Sequence, residues 1–194
     1  MKRELLFPTS VYVDRIVLDD QKLLDDILQI RKTDSKGLER SNLGNSYHSR
    51  DDLHKLPEFK SISEGIIKTT QKVFEQEKIK NKFFIGNLWA NINSQGGFND
   101  LHTHGNSYLS GVYYLKTPEN GGLLRFSDPR PQAIMITPQT KDDVEKEYWN
   151  RISFRGERGQ IVLFPGYLPH QVLPNESNEE RISLSFNIIL DWNL

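Results

Sequence analysis

The feature of the chain that most constrains its fold is a series of short β-type segments that runs from residue 82 almost to the end. Aromatic and β-branched residues dominate these segments, and turns rich in Gly, Pro and Asn separate them. The clearest of these segments lie at 82–93, 107–116, 123–126, 151–154, 159–164 and 181–190, and the residues around the turns between them allow one or two more. Seven or eight short strands that follow two helices predict a mainly β protein with flanking helices, either a β-sandwich or a barrel.

The first 81 residues have a different character. The expected elements are a strand or two within 4–18 and helices at about 20–32 and 58–78, where apolar residues recur at helical spacing. The segment 33–57 between the helices is polar and rich in turn residues, which predicts a long loop and a candidate lid. Its two histidines, His48 and His54, are interpreted as surface residues.

The length of 194 residues favours a single domain, 1–194. Within it, residues 1–81 are expected to form a helical support with the lid loop, and 82–194 the β core. The charged segment 131–150 is a second lid candidate.

Composition excludes several classes of site and partner. The chain has no cysteine, which rules out disulfides, thiolate zinc sites and cysteine nucleophiles. A net charge of −1 gives no indication of a nucleic acid partner. No stretch approaches the apolar length of a membrane span, so we expect no membrane association and a cytoplasmic location. A homodimer formed through edge strands is left open.

Two histidines separated by one residue, His102 and His104, directly precede the segment 107–116. If strand geometry extends back through them, their side chains point to the same face and form a chelating pair. A third histidine, His170, follows the buried-looking segment 159–164. Together these three residues predict a metal site.

Arg181 begins an otherwise apolar segment. An arginine that points into a β core is costly unless it meets an anion, and its planar guanidinium matches a carboxylate. The alternative is an exposed arginine at the strand start, next to Glu179 and Glu180. Beside a three-histidine metal site, a carboxylate anchor is the favoured interpretation.

The stretch 88–190 resembles the double-stranded β-helix (jelly-roll) oxygenases that use Fe(II) and 2-oxoglutarate, in their prolyl-hydroxylase-like branch. The whole chain is similar to a group of oxygenases of that superfamily found in bacteria and phages. The sequence segments that match are Trp89-Ala90-Asn91, His102-Thr103-His104, 110–115, 122–130, Phe164-Pro165 with His170, and 181–187.

The resemblance implies a dioxygenase that hydroxylates a protein or peptide side chain or a small metabolite, with release of succinate and CO2. It implies that His102 and His170 bind iron and that Arg181 holds the distal carboxylate of 2-oxoglutarate. The other residues that it assigns to cosubstrate binding are Tyr114, Ser185, Asn187 and Asn91.

The chain departs from the superfamily at the middle metal ligand, which is usually Asp or Glu and here is His104. Three neutral imidazoles can supply the same geometry with one negative charge fewer. Simple register favours His104 as the third ligand, with Asp128 or Asp100 as carboxylate alternatives. Asp100 could also accept a hydrogen bond from an imidazole N–H.

Two other functions stay open on the sequence. A three-histidine, cupin-type metal dioxygenase would not need 2-oxoglutarate, and its activity would depend little on Arg181. A jelly-roll binding module without catalytic activity would use the histidines for structure alone. No pattern in the sequence identifies the primary substrate.

Overall fold

The computed structural model describes residues 2, 4, 6–135 and 150–192. Within these residues, the helices are α1 (Asp20–Thr33) and α2 (Lys60–Gln76). The strands are β1 (Tyr12–Arg15), β2 (Asn42–Leu43), β3 (Ser46–His48), β4 (Lys82–Asn93), β5 (Phe98–His102), β6 (Leu109–Lys116), β7 (Leu124–Ser127), β8 (Arg151–Phe154), β9 (Gln160–Pro165), β10 (His170–Val172) and β11 (Arg181–Asp191). Short 3-10 turns cover Leu53–Lys55, Pro57–Phe59 and Pro131–Ile134.

The strands form two antiparallel sheets. The first has the order β1-β9-β6-β11-β4-β3, and the second has the order β2-β5-β10-β7-β8. Strands that follow one another in the chain, such as β5 and β6 or β9 and β10, lie in different sheets. The chain therefore passes repeatedly from one sheet to the other, and two layers of strands enclose a space between them.

The central strands of the first sheet are buried on both faces. In β6, Tyr113 and Leu115 belong to the core that the helices cover, whereas Val112 and Tyr114 belong to the core between the sheets. Strand β9 alternates in the same way, because successive side chains of a strand point to opposite faces. This two-sided burial explains why these segments have few charges.

The two helices cover the outer face of the first sheet. The Asp19 carboxylate caps α1 by accepting a hydrogen bond from the backbone N–H of Lys22 at 3.1 Å. Leu23 and Ile27 of α1 pack in the same core as Ile62, Ile66, Val73 and Phe74 of α2. Both helices were expected from the sequence, and no described helix is long and apolar enough to cross a membrane.

The structure corrects the expectation that 33–57 is one long loop. Strand β3 pairs with β4, β2 pairs with β5, and two 3-10 turns follow. Strands this short depend on distant pairing partners, so local sequence gives little sign of them. A role as a lid stays a prediction for 33–57. Of the second candidate, 131–150, residues 136–149 lie outside the described residues.

The turn at Asn120-Gly121-Gly122 has the residue types typical of a β-hairpin, in which the two flanking strands pair with each other. The N–H of Gly121 does bond the Pro118 carbonyl at 3.0 Å, and Asn120 has φ of 60°. However, the flanking strands β6 and β7 lie in different sheets and do not pair. Turn chemistry correctly predicted the reversal of the chain but not its partner strand.

Candidate active site

The second sheet brings two of the predicted metal ligands together. His102 ends β5 and His170 begins β10, and the two residues lie directly opposite each other in the β5–β10 pairing. His104 lies two residues beyond the end of β5, and its backbone N–H bonds the Gly166 carbonyl at 2.8 Å. One nitrogen of each of the three imidazoles lies within 4.8 Å of the others.

Backbone carbonyls define the tautomer of two of these rings. The Nδ1–H of His102 donates to the Asp100 carbonyl at 2.6 Å, and the Nδ1–H of His170 donates to the Leu168 carbonyl at 2.9 Å. A carbonyl can only accept a hydrogen bond, so each Nδ1 carries the proton and each Nε2 keeps a free lone pair. Carbonyl acceptors of this kind commonly orient histidines that bind metal.

The three imidazoles are neutral at physiological pH. Burial, together with the neighbouring His102, lowers the pKa of His104 to about 4. Burial and the same neighbour lower the pKa of His170 to about 3, and burial lowers the pKa of His102 as well. Neutral nitrogens that converge are the donor set that Fe(II) and other divalent transition metals prefer. The residues present therefore fit a metal ion.

Neither carboxylate alternative joins this cluster. Asp100 is exposed, and it is its backbone carbonyl, not its side chain, that contacts the His102 ring. Asp128 pairs with Arg130 at 2.8 Å, and this ion pair keeps the pKa of the Asp128 carboxyl below its usual value. Among the described residues, the three histidines are the one group of potential ligands close enough to share a metal.

A cavity of about 410 Å³ opens between the sheets beside the histidines. The predicted site residues that line it are His102, His104, His170, Arg181, Asn91, Ser185 and Asn187. Apolar side chains form another part of the wall, namely Val112, Leu124, Phe164 and Val172. The cavity thus combines a corner of three converging imidazoles, a polar wall and an apolar wall.

Arg181 begins β11 and is only 3% exposed. Its Nη1 donates to the Asn93 Oδ1 at 3.2 Å, and its guanidinium lies 5.4 Å from the centre of the Tyr114 ring. No described carboxylate lies within 4.0 Å of it, and the adjacent Glu179 and Glu180 pair with other cations. The alternative of an exposed arginine is therefore wrong, and this buried positive charge has no anionic partner within the part of the chain that the structure describes.

Tyr114 does not line the cavity but packs beneath Arg181. Its hydroxyl is buried without a hydrogen-bond partner among the described residues, and burial raises the pKa of that hydroxyl. On the cavity wall, the Asn91 Nδ2 donates to the Ser185 Oγ at 3.0 Å, which leaves the Ser185 hydroxyl proton free to donate. Ser185 therefore offers a hydrogen-bond donor on the same cavity wall as Arg181.

The interpretation of His48 as a surface residue is wrong. This histidine is 5% exposed and lines the cavity, and its ring stacks on Trp89 with centroids 5.3 Å apart. The ring of Trp89 in turn packs against the His104 ring, with centroids 5.9 Å apart. His54 is half-buried and does not line this cavity.

The sequence analysis also missed several polar residues of the cavity wall. Those on β4, β6 and β11 are Asn87, Ser110 and Ser183. The signal that could have revealed them is a polar residue at every second position of a strand that is otherwise apolar, since such residues share one face.

A comparison with protein families gives one match. Residues 87–187 match the family described as "Putative 2OG-Fe(II) oxygenase". The matched stretch is just over half of the chain and contains all three histidines and Arg181. No curated protein matches the sequence.

Solved structures show the same fold at low sequence identity. A prolyl-4-hydroxylase of Pseudomonas putida has a TM-score of 0.60 and 17% identity, and the alignment covers 92% of each chain. The viral collagen prolyl hydroxylase of Paramecium bursaria chlorella virus-1 has a TM-score of 0.61 and 16% identity, and the alignment covers 92% of this chain and 94% of that chain. HygX from Streptomyces hygroscopicus, solved with nickel and 2-oxoglutarate, has a TM-score of 0.63 and 10% identity. The alignment covers 95% of this chain and 84% of that chain.

The two sheets therefore form the double-stranded β-helix, or jelly roll, that the sequence predicted. The family match spans the strands that carry the histidines and the buried arginine. This chain belongs to the family of oxygenases that use Fe(II) and 2-oxoglutarate.

Proposed function

We propose that the cavity between the sheets binds Fe(II) through His102, His104 and His170 and 2-oxoglutarate through Arg181. The enzyme then hydroxylates a small metabolite or a protein side chain with release of succinate and CO2. One observation carries the proposal: a buried guanidinium, without a carboxylate partner among residues 6–135 and 150–192, shares a cavity with three converging neutral imidazoles.

Iron bound here would supply activation of O2 and oxidative decarboxylation of the keto acid, chemistry that belongs to the cofactor. The histidines contribute neutral donors that need not lose a proton before they bind a metal. Three protein ligands also leave coordination positions for a cosubstrate. Because the Asp100 and Leu168 carbonyls orient two of the rings, the site is organised before any metal binds.

Arg181 anchors the cosubstrate in this proposal. A guanidinium donates two parallel hydrogen bonds to a carboxylate, and burial strengthens them because little water competes. The unpartnered hydroxyl of Tyr114 and the free hydroxyl proton of Ser185 are further donors nearby. The carboxylate in turn offsets the cost of the buried positive charge.

A three-histidine dioxygenase that does not use 2-oxoglutarate is the rival activity, and the absence of a carboxylate from the ligand cluster of described residues favours it. The rival activity does not explain why Arg181 is buried without a carboxylate partner among the described residues. The test must therefore separate metal binding from keto-acid binding.

The experiment is an anaerobic titration of the protein with Fe(II), with and without 2-oxoglutarate, followed by visible absorption. We expect a weak charge-transfer band that needs both components. Arg181→Leu should lose the band yet still bind Fe(II), whereas His170→Ala should lose both. Arg151→Leu is the matched control, because Arg151 is exposed on β8 and does not line the cavity.

Fe(II) binding without the band in the native protein would contradict the use of 2-oxoglutarate and favour the rival. A band that persists in Arg181→Leu would contradict the role of that arginine alone. The cytoplasmic location and the homodimer remain predictions of the sequence.

A further inference from the structure

The cavity has a second polar region that neither the metal nor the keto acid uses. The segment between α1 and α2 supplies Arg40, Ser41, His48 and Asp51 to the wall. Apart from Arg181, the charged side chains that line the cavity are Arg40 and Asp51, within the described residues. One is a cation and the other an anion, so the character of this wall depends on whether each charge is already paired.

Asp51 has no cationic partner in the described part of the chain. Its carboxylate is half-buried, and the Asn87 Nδ2 donates to its Oδ2 at 3.4 Å. No described Lys, Arg or His nitrogen lies within 4.0 Å of it. The neighbouring Arg50 pairs with Asp52 instead. The backbone of Asp51 is held firmly, since its carbonyl accepts from the Leu88 N–H at 2.9 Å.

Arg40 is similarly unpaired. Its Nη1 donates only to the neighbouring Glu39 carbonyl, at 3.3 Å, and no described carboxylate lies within 4.0 Å of its guanidinium. Its side chain is exposed at the cavity wall. The two opposite charges therefore face one cavity without neutralising each other or pairing with a third described residue.

Neighbouring groups add no further charge to this wall. His48 lies on the same segment, and burial lowers its pKa, so the ring is neutral at physiological pH. Its ring stacks on Trp89, and Trp89 contacts His104. A single aromatic ring thus separates this wall from a residue of the metal cluster, which places a small molecule held here close to the metal.

A chain of amides links Asp51 to the cosubstrate side of the cavity. The Asn187 Nδ2 donates to the Asn87 Oδ1 at 3.4 Å, and the Asn187 Oδ1 accepts from the Ser110 hydroxyl at 2.8 Å. This arrangement makes Asn87 a donor toward Asp51. The Asp51 carboxylate therefore has further lone pairs that can accept hydrogen bonds from a ligand.

Resting on the proposed function, we propose that the substrate is a free amino acid, whose ammonium group binds Asp51 and whose carboxylate binds Arg40. A residue inside a peptide has neither group, and a lysine side chain has only the first. The cavity of about 410 Å³ must also hold 2-oxoglutarate, which favours a small substrate. Opposite charges at separate points of the wall would fix the orientation of such a molecule above the metal.

The experiment supplies each of the twenty L-amino acids to the protein loaded with Fe(II) and 2-oxoglutarate and measures succinate formation in air. At least one should raise the rate about tenfold or more above the rate without substrate. Its N-acetyl and carboxamide derivatives should lose most of this gain, because each removes one charge. Asp51→Asn and Arg40→Gln should each raise KM for the amino acid by about ten- to a hundredfold.

The matched controls are Asp52→Asn and Arg50→Gln, which break an exposed ion pair outside the cavity and should leave KM unchanged. The anaerobic charge-transfer band separates the two proposals. If the band forms but none of the amino acids raises succinate formation, the inference is wrong and the proposed function stands. The same holds if blocked derivatives or peptides act equally well. If the native protein gives no band, the proposed function fails first.

Discussion

The core that faces the helices and the cavity between the sheets are built from alternate residues of the same strands. On β11, the helix-facing side chains are Ile182, Leu184, Phe186 and Ile188, and the cavity-facing ones are Arg181, Ser183, Ser185 and Asn187. The first set is apolar and well packed, whereas the second leaves hydrogen-bonding capacity unused. The contrast indicates that the helix-facing residues stabilise the fold, whereas the cavity-facing residues contribute less to stability and are available to bind a ligand.

The largest effect should come from a change confined to the cavity. His170→Ala removes one of three metal donors, and we expect Fe(II) affinity to fall more than about a hundredfold, with succinate formation lost. The free energy of unfolding of the apo protein should change far less. Metal content after dialysis and the rate of succinate formation measure the effect.

His54→Ala is the control for that variant, because His54 is half-buried and lies outside the cavity. It should bind Fe(II) as the native protein does. Equal loss of Fe(II) in both variants would mean that histidine removal acts through general destabilisation and not through the metal cluster.

The helix-facing core should respond in the opposite way. Leu184 is fully buried, and Leu184→Ala should lower the free energy of unfolding by about 2–5 kcal/mol through lost burial and a residual void. The folded fraction should keep its affinity for 2-oxoglutarate. Urea unfolding and keto-acid titration measure the two quantities separately.

Ser183 precedes Leu184 on β11 and faces the cavity, so Ser183→Ala is the matched comparison for Leu184→Ala. We expect it to change stability by less than about 1 kcal/mol, since it removes only a hydroxyl. A larger loss of unfolding free energy from Ser183→Ala than from Leu184→Ala would contradict the inference that the helix-facing side of β11 stabilises the fold.

Gly156→Ala tests the contact between Tyr114 and Arg181. A Cβ at Gly156 would lie 2.3 Å from the Tyr114 ring, so the ring must move. We expect a stability loss of about 1–3 kcal/mol from overpacking and a higher KM for 2-oxoglutarate, with Fe(II) binding retained. Gly65→Ala in α2 is the control and should leave that KM unchanged. An unaltered KM in Gly156→Ala would show that Tyr114 does not position the arginine.

The last comparison concerns the pH dependence of the stability of the apo protein. The pKa of His104 is about 4 in the folded chain against 6.5 in the unfolded chain, so below pH 6.5 the unfolded chain binds the extra proton. Its stabilising contribution is complete above pH 6.5 and should fall by about 1.4 kcal/mol per pH unit toward pH 4. Urea unfolding of the native protein and of His104→Asn at several pH values isolates this slope. Parallel curves for the two proteins would contradict a buried neutral His104.

Elements buried on both faces were predictable from sequence. The sequence predicts β4 at 82–93 and β6 at 107–116, close to their observed bounds, because aromatic and branched residues with few charges are typical of strands buried on both faces. The proximity of the three histidines is also predictable, since His102 and His104 are near each other in the chain and only His170 comes from a distant segment.

Features that depend on distant pairing were not predictable. Strand β3 has three residues, and its pairing with β4 is what buries His48. Likewise, the Asn120 turn has hairpin chemistry, but the sheet that each flanking strand joins is decided by the packing of the whole protein. Local residue preferences contain no information about either choice.

The pairing of His102 opposite His170 has a kinetic consequence. β10 lies between β5 and β7, whereas β5 has only the two-residue β2 on its other side. Opening β5 therefore breaks fewer backbone hydrogen bonds than opening β10, so amide hydrogen exchange near His102 should be the faster. A metal ion shared by the two strands would cross-link them, so that release of the ion and local opening of β5 become a single event.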